Sequence, residues 1–173
     1  VWLRDKITKQ VERFAHRPQS GLIHVGVQDI DGDGQPLGQH SDGMQGDVSG
    51  ELLLFERSVI LGGGSGIMLP RIAFDSVGGF DIKLSTSADW DLFYRISYRY
   101  PTEFIPEILL KYRFHNSNMH GNIAQMEKEM TIGFKKAFDT DDPKVLAMKR
   151  HATGNLHRVL AGSYFQCGDY LSF

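Results

Sequence analysis

The chain has 173 residues, 41% of them hydrophobic, and nineteen basic against twenty-one acidic side chains leave a formal charge of -2. That is enough to bury one core of the usual domain size, ~100–150 residues, and with no basic run to track a phosphate backbone it argues against nucleic acid as a partner. A single cysteine, Cys167, excludes an internal disulfide and a cysteine-rich zinc site, and fits a reducing, cytosolic compartment.

No apolar stretch approaches the ~20 residues of a membrane span and no signal peptide opens the chain, so any membrane contact is expected to be peripheral, through sequence outside these residues. Val1 is not an initiator methionine, and the chain reads as part of a longer protein.

Leu3, Ile7, Val11 and Phe14 fall at helical spacing, with Arg4, Lys6, Lys9 and Glu12 on the other face. Arg17-Pro18 ends this helix, because a residue before proline avoids the helical region. Leu22 to Ile30 is β-rich and runs into the turn Asp31-Gly32-Asp33-Gly34, with a weak second strand near Pro36-Leu37. Residues 38–50 are glycine-rich with few apolar side chains, which predicts a mobile surface loop of the kind that lies over a site.

A short amphipathic stretch, Glu51–Leu61, precedes Gly62-Gly63-Gly64-Ser65-Gly66 and the apolar run Ile67-Met68-Leu69. The glycine run lacks the spacing and the Lys-Ser/Thr ending of a phosphate loop. It is either a flexible bend or a place where backbone approaches a ligand closely. A helical turn with Ile72, Phe74 and Val77 ends at Gly78-Gly79.

A clear helix follows from about Ala88 to Tyr100, stopped by Pro101, and Phe104–Phe114 reads as one or two strands around Pro106. Ile123, Met126, Met130, Phe134 and Phe138 stripe a long helix, which Asp141-Asp142-Pro143 breaks before a last helical segment. Strands separated by helices predict a mixed α/β sheet with flanking helices: residues 1–140 as the main body, 141–173 as a helical tail.

Two carboxylates share the helix SADWDLFYRI. Asp89 falls on the face of Leu92, Phe93 and Ile96, whereas Asp91 pairs with Arg95 at i,i+4 on the outer face. Thr86-Ser87-Ala88-Asp89 also matches a capping box, in which Asp89 would tie down a backbone N–H. Helix cap and desolvated general base are both open roles for this acid. His115, closing Tyr112-Arg113-Phe114-His115, is a metal ligand, a proton carrier or an exposed polar residue, with no second ligand at local spacing. His120 reads as surface.

WLRDKITKQVERF, GLIHVGVQDIDGDG, GSGIMLPRIAFDSVGGFD, SADWDLFYRI and YRFHNSN, in this order over roughly residues 1 to 130, resemble inverting glycosyltransferase family 2, with its GT-A fold. The resemblance implies the C-terminal, acceptor-side half of that fold. It implies a nucleotide-diphosphate sugar donor and a glycan or other polyol-like acceptor, with Asp89 as general base. Gly64, Ser65, Gly66, Trp90 and Asp91 become candidates for substrate contact, and His115 a candidate for the metal or the diphosphate.

The same resemblance places the nucleotide-holding strands, and the Asp-x-Asp that holds Mg²⁺ or Mn²⁺, upstream of Val1. These residues alone are therefore expected to be inactive. Near the end, LHRVLAGSYFQCGDYLSF is similar to half of a tetratricopeptide-type hairpin, with a plain C-terminal helix as the alternative. A reading of another class is a non-catalytic α/β module whose glycine loop recognises carbohydrate.

Overall fold

The computed structural model describes residues 1–114 and 122–169. Among them the sheet has three strands, β1 (Leu22–Ile30), β2 (Pro36–His40) and β3 (Thr102–Arg113), in the order β2-β1-β3. β2 runs antiparallel to β1 after the Asp31–Gly34 turn, and β3 runs parallel to it. Seven helices surround this sheet: α1 (Lys6–His16), α2 (Ser49–Leu54), α3 (Gly63–Gly66), α4 (Arg71–Ser76), α5 (Ala88–Ser97), α6 (Ile123–Ala137) and α7 (Pro143–Gln166). The mixed α/β architecture follows the sequence reading. No described helix is long and apolar enough to cross a membrane.

β3 is one strand despite Pro106. Its register against β1 shifts between Val25 and Val27, so the proline, which has no N–H to donate, sits in an irregularity rather than in the ladder. Gly26 makes room for it: a Cβ there would lie 2.7 Å from the Glu107 carbonyl oxygen.

The core has two parts. Leu52, Leu92, Ile96, Phe134, Leu156 and Leu160 belong to a large cluster among α2, α5, α6 and α7. Ile23, Val25, Val27, Phe104 and Leu110 form a smaller one on the sheet, with Phe14 of α1 against it. α7 runs uninterrupted from Pro143 to Gln166, capped by Asp142, whose carboxylate accepts the Lys144 N–H. Its apolar face joins the large cluster, so the segment read as a tail closes the main core.

Two expectations are corrected. In α1 the buried residues are Lys6 and Gln10, while Ile7 and Val11 are exposed. The reason lies in what the helix covers: Gln10 Nε2 donates to the carbonyls of Ile23 (3.0 Å) and Gly66 (3.2 Å), so this face must supply donors to strand and loop backbone. Lys6 Nζ donates to Gln10 Oε1 at 2.7 Å and stands 4.6 Å from the centre of the Trp2 ring, and burial pushes its pKa down.

Residues 38–50 are likewise more than a surface loop. Their first three residues finish β2, Gly46 exchanges two backbone hydrogen bonds with Thr102 (2.7 and 2.8 Å), and Val48 is fully buried.

Candidate active site

The principal cleft, about 740 Å³, opens where β1 and β3 end. Ligands in parallel α/β sheets gather outside the carboxyl ends of strands, where side chains and loops diverge. The sheet contributes Val27 and Asp29 from β1, His40 from β2, and Tyr112 and Phe114 from the end of β3. Alternation along β1 explains Asp29: the face that sends Val25 and Val27 into the apolar cluster reaches the cleft two residues later. Tyr112 is its register partner on β3. From β2, His40 Nε2 lies 2.8 Å from Asp29 Oδ2, a diagonal cross-strand pair.

The glycine segment forms the second wall. Gly62 and Gly63 take left-handed backbone (φ 78° and 49°), which turns the chain into the single helical turn α3. Gly63 also brings backbone against the acid: a Cβ there would lie 3.2 Å from Asp89 Oδ2. Three groups hold this wall from behind. Trp2 Nε1 donates to the Ser65 carbonyl (2.9 Å), Gln10 holds the Gly66 carbonyl, and the Leu61 N–H donates to His24 Nδ1 (3.1 Å).

His24 is fully buried, stacked 4.6 Å from Phe104, and its Nε2 faces the Met44 carbonyl at 2.8 Å. An acceptor nitrogen toward Leu61 and a donor toward Met44 define a neutral ring, and burial takes its pKa down to about 4, against the weaker opposing pull of the Met44 carbonyl.

The third wall is the start of α5, which carries Asp89 in its first turn with Ser85, Thr86 and Ala88 beside it. Asp89 does tie down a backbone N–H at the start of this helix, though the wider hold comes from elsewhere. Ser87 stands at the N-cap without a side-chain cap bond, and Asp89 Oδ1 accepts the adjacent Trp90 N–H (2.8 Å). A further acceptor comes from α6. Glu129 accepts the N–H groups of Ser85 and Ser87 (both 2.9 Å), the hydroxyls of Ser85 (2.8 Å) and Thr86 (3.0 Å), and Gln125 Nε2 (2.6 Å). Burial alone would raise the Glu129 pKa, but these donors outweigh it and hold the carboxyl at about 2.

Asp91 corrects the sequence reading most sharply. It is buried, with Oδ2 on Arg95 (2.6 Å) and Oδ1 on Lys136 (2.6 Å), and it does not line the cleft. Arg95 donates onward to the carbonyls of Val77 (2.7 Å) and Gly79 (2.8 Å), and Lys136 also pairs with Asp81 (2.8 Å). This network fixes the Gly78-Gly79-Phe80-Asp81 turn and so sets Phe80 at the cleft edge, against Phe74 at 5.8 Å.

Of the other predicted residues, Gly64 and Ser65 line the cleft, whereas Gly66 is buried beneath it. Trp90 faces away, stacked on Phe134 (5.3 Å) and Tyr94 (5.9 Å), toward a second cavity that Asp89 also lines. His115 and His120 lie outside the described residues. Asp29, His40, Tyr112 and Phe80 were missed. The period-2 pattern of β1 could have pointed to Asp29, but nothing local marks His40.

Burial pushes the Tyr112 phenol up, and the negative charges of Asp89 and Asp29 push it further, so it keeps its proton. No three His, Cys, Asp or Glu side chains gather as a metal site among the described residues. The acidic turn after β1 is used locally: Asp31 Oδ1 accepts the N–H groups of Asp33 (2.9 Å) and Gln35 (2.8 Å).

The sequence matches the family model described as Glycosyltransferase like family 2 over residues 2–158, a match that continues into α7. A comparison with curated proteins gave no match.

Proposed function

From the premise that this chain belongs to the glycosyltransferase-like family 2, and is therefore built for glycosyl transfer, we propose that its cleft receives the acceptor hydroxyl and that Asp89 deprotonates it. The observation that carries this reading is the placement of Asp89: half-buried in the first turn of α5, on the cleft, with Gly63 backbone closed against one carboxylate oxygen.

In this mechanism the Asp89 carboxylate takes the proton of the acceptor hydroxyl as its oxygen attacks the anomeric carbon of a nucleotide-diphosphate sugar. The new C–O bond forms as the bond to the diphosphate breaks, the diphosphate leaves with the electron pair, and the configuration inverts. The acceptor is a glycan or another polyol. Gly64 and Ser65 offer backbone to a sugar, and Tyr112 keeps a phenolic proton near the two carboxylates. The cation, Mg²⁺ or Mn²⁺, would neutralise the leaving diphosphate; its main ligands are sought outside the described residues, since these do not gather a metal site.

The test is release of nucleoside diphosphate by the full-length protein across a panel of nucleotide sugars with Mn²⁺ and a polyol acceptor. Turnover that disappears in Asp89→Asn while donor binding persists supports the reading. Undiminished turnover in that variant overturns it.

A further inference from the structure

Behind Asp89 lies a second cavity of about 390 Å³ that the proposed reaction does not use. Leu52, Phe55, Val59, Trp90, Phe93 and Val159 give it apolar walls, and Glu56, Arg57 and Ser58 stand among its polar lining. Ser58, Ile60, Gly63 and Asp89 line both this cavity and the cleft, so the two spaces meet at the carboxylate. Volume and lining are those of a small-molecule site, ~300–1,000 Å³ and mostly apolar with a few polar groups.

Its walls are rigid. The Trp90 ring is fixed by stacking on Phe134 and Tyr94, with its Nε1 donating to the Leu52 carbonyl at 3.2 Å. α7, which supplies Val159, is tied to the end of α2 by Asn155 Nδ2 donating to the Leu54 carbonyl at 2.8 Å. Phe55 is the only non-glycine residue with left-handed backbone among the described residues (φ 56°). That conformation is strained for a residue with a side chain and persists where the surroundings enforce it, and it sets the Phe55 ring edge-on to Trp90 at 6.4 Å, on the cavity wall.

We propose that this cavity holds the apolar aglycone of an amphipathic acceptor, an alkyl or aryl group whose attached sugar presents its hydroxyl to Asp89. The occupant follows from continuity: a group seated among Phe55, Trp90 and Val159 leaves past Gly63 and Asp89, and only a molecule polar at one end matches both spaces. The proposal rests on the reading of Asp89 as the base, but it is tested by binding rather than by turnover.

The experiment is calorimetric titration of the full-length protein with methyl, butyl, hexyl and octyl β-D-glucosides below their micellar concentrations, with phenyl β-D-glucoside as the aryl arm. Affinity is expected to rise up to about fourfold per added methylene, the equivalent of ~0.8 kcal/mol per buried CH₂. A steep alkyl series identifies a chain as the occupant, and phenyl above hexyl identifies a ring.

Val159→Trp fills the cavity from α7 and should flatten the series. Phe55→Gly, which suits the left-handed position while removing the ring, should lower octyl affinity more than methyl, read on protein whose circular dichroism matches the wild type. Asp89→Asn, which alters the contact common to every glucoside, should shift the series as a whole and keep its slope. Equal affinity across the wild-type series, or a slope that survives both cavity variants, overturns the proposal. Loss of turnover without loss of the slope bears on the base alone.

Discussion

Two walls of one cleft are held by opposite means. The α5 wall is held by charge: Glu129 gathers four donors from Ser85, Thr86 and Ser87, and Asp91 sits between Arg95 and Lys136. The glycine wall is held through its backbone: Trp2 and Gln10 reach the carbonyls of Ser65 and Gly66, and neutral His24 takes the Leu61 N–H. A charged clamp fixes one carboxylate direction firmly and is sensitive to its own ionisation. A neutral backbone clamp is weaker per bond, and its hold on Leu61 lasts only while His24 stays unprotonated.

The largest expected effect concerns the group the α5 wall aims. Asp89→Asn keeps an oxygen for the Trp90 N–H, so folding should hold while transfer falls by ~10²–10⁴-fold, measured as initial rate at saturating donor. Glu129→Gln offers an amide where the fold provides only donors, and should cost about 3 kcal/mol in denaturant unfolding, with the start of α5 the first region to lose amide protection.

Asp91→Asn should cost somewhat less, about 2 kcal/mol, because Lys136 retains Asp81 and both cations keep some contact with water. Its rate per folded molecule should stay near normal, which separates it from Asp89. The opposite pattern, a rate loss without a stability loss at Asp91, would erase the distinction between the two acids.

Acid sharpens the comparison further. His24 has its folded pKa depressed from 6.5 to about 4, so its contribution to stability is full above 6.5 and is lost as pH falls toward 4. Glu129 is depressed from 4.5 to about 2, so its contribution is full above 4.5 and is lost as pH falls toward 2. Unfolding midpoints measured against pH should therefore decline in two stages, the glycine wall first, and His24→Asn should remove the upper stage alone.

The smallest effect belongs to Trp2→Phe, which keeps a ring beside Lys6 but loses the bond to Ser65. Less than about 1 kcal/mol should be lost, with faster amide exchange across residues 62–66 as its signature.

Much of the frame was legible because it is local. The stripe of α6, the proline that opens α7, the turn after β1 and the glycine segment are all written in neighbouring residues. The facing of α1 was not: spacing records where apolar side chains recur, but the Ile23 and Gly66 carbonyls needed donors, and that need arises only once strand and loop are in place. Asp91 was misread for a similar reason. Its second cation, Lys136, comes from another helix 45 positions away, and i,i+4 geometry alone leaves the pair with Arg95 on the surface. Within the site, Asp89 was visible on its helix, whereas the Asp29–His40 pair depends on a hairpin register that only the folded sheet defines.

The parallel pairing of β1 with β3 joins residues about eighty positions apart, Leu22 with Thr102 and Ile30 with Arg113. Closing a loop of that length costs entropy before the pairing returns any energy, so long-range pairings of this kind slow folding. The hairpin of β1 and β2 has no such delay: Asp29 and His40 come together across a short turn. Tyr112 arrives with β3. The sheet side of the cleft thus joins a local hairpin to a distant strand, and any opening that detaches β3 would leave the Asp29–His40 pair beside an unpaired β1 edge, open to a strand from another molecule.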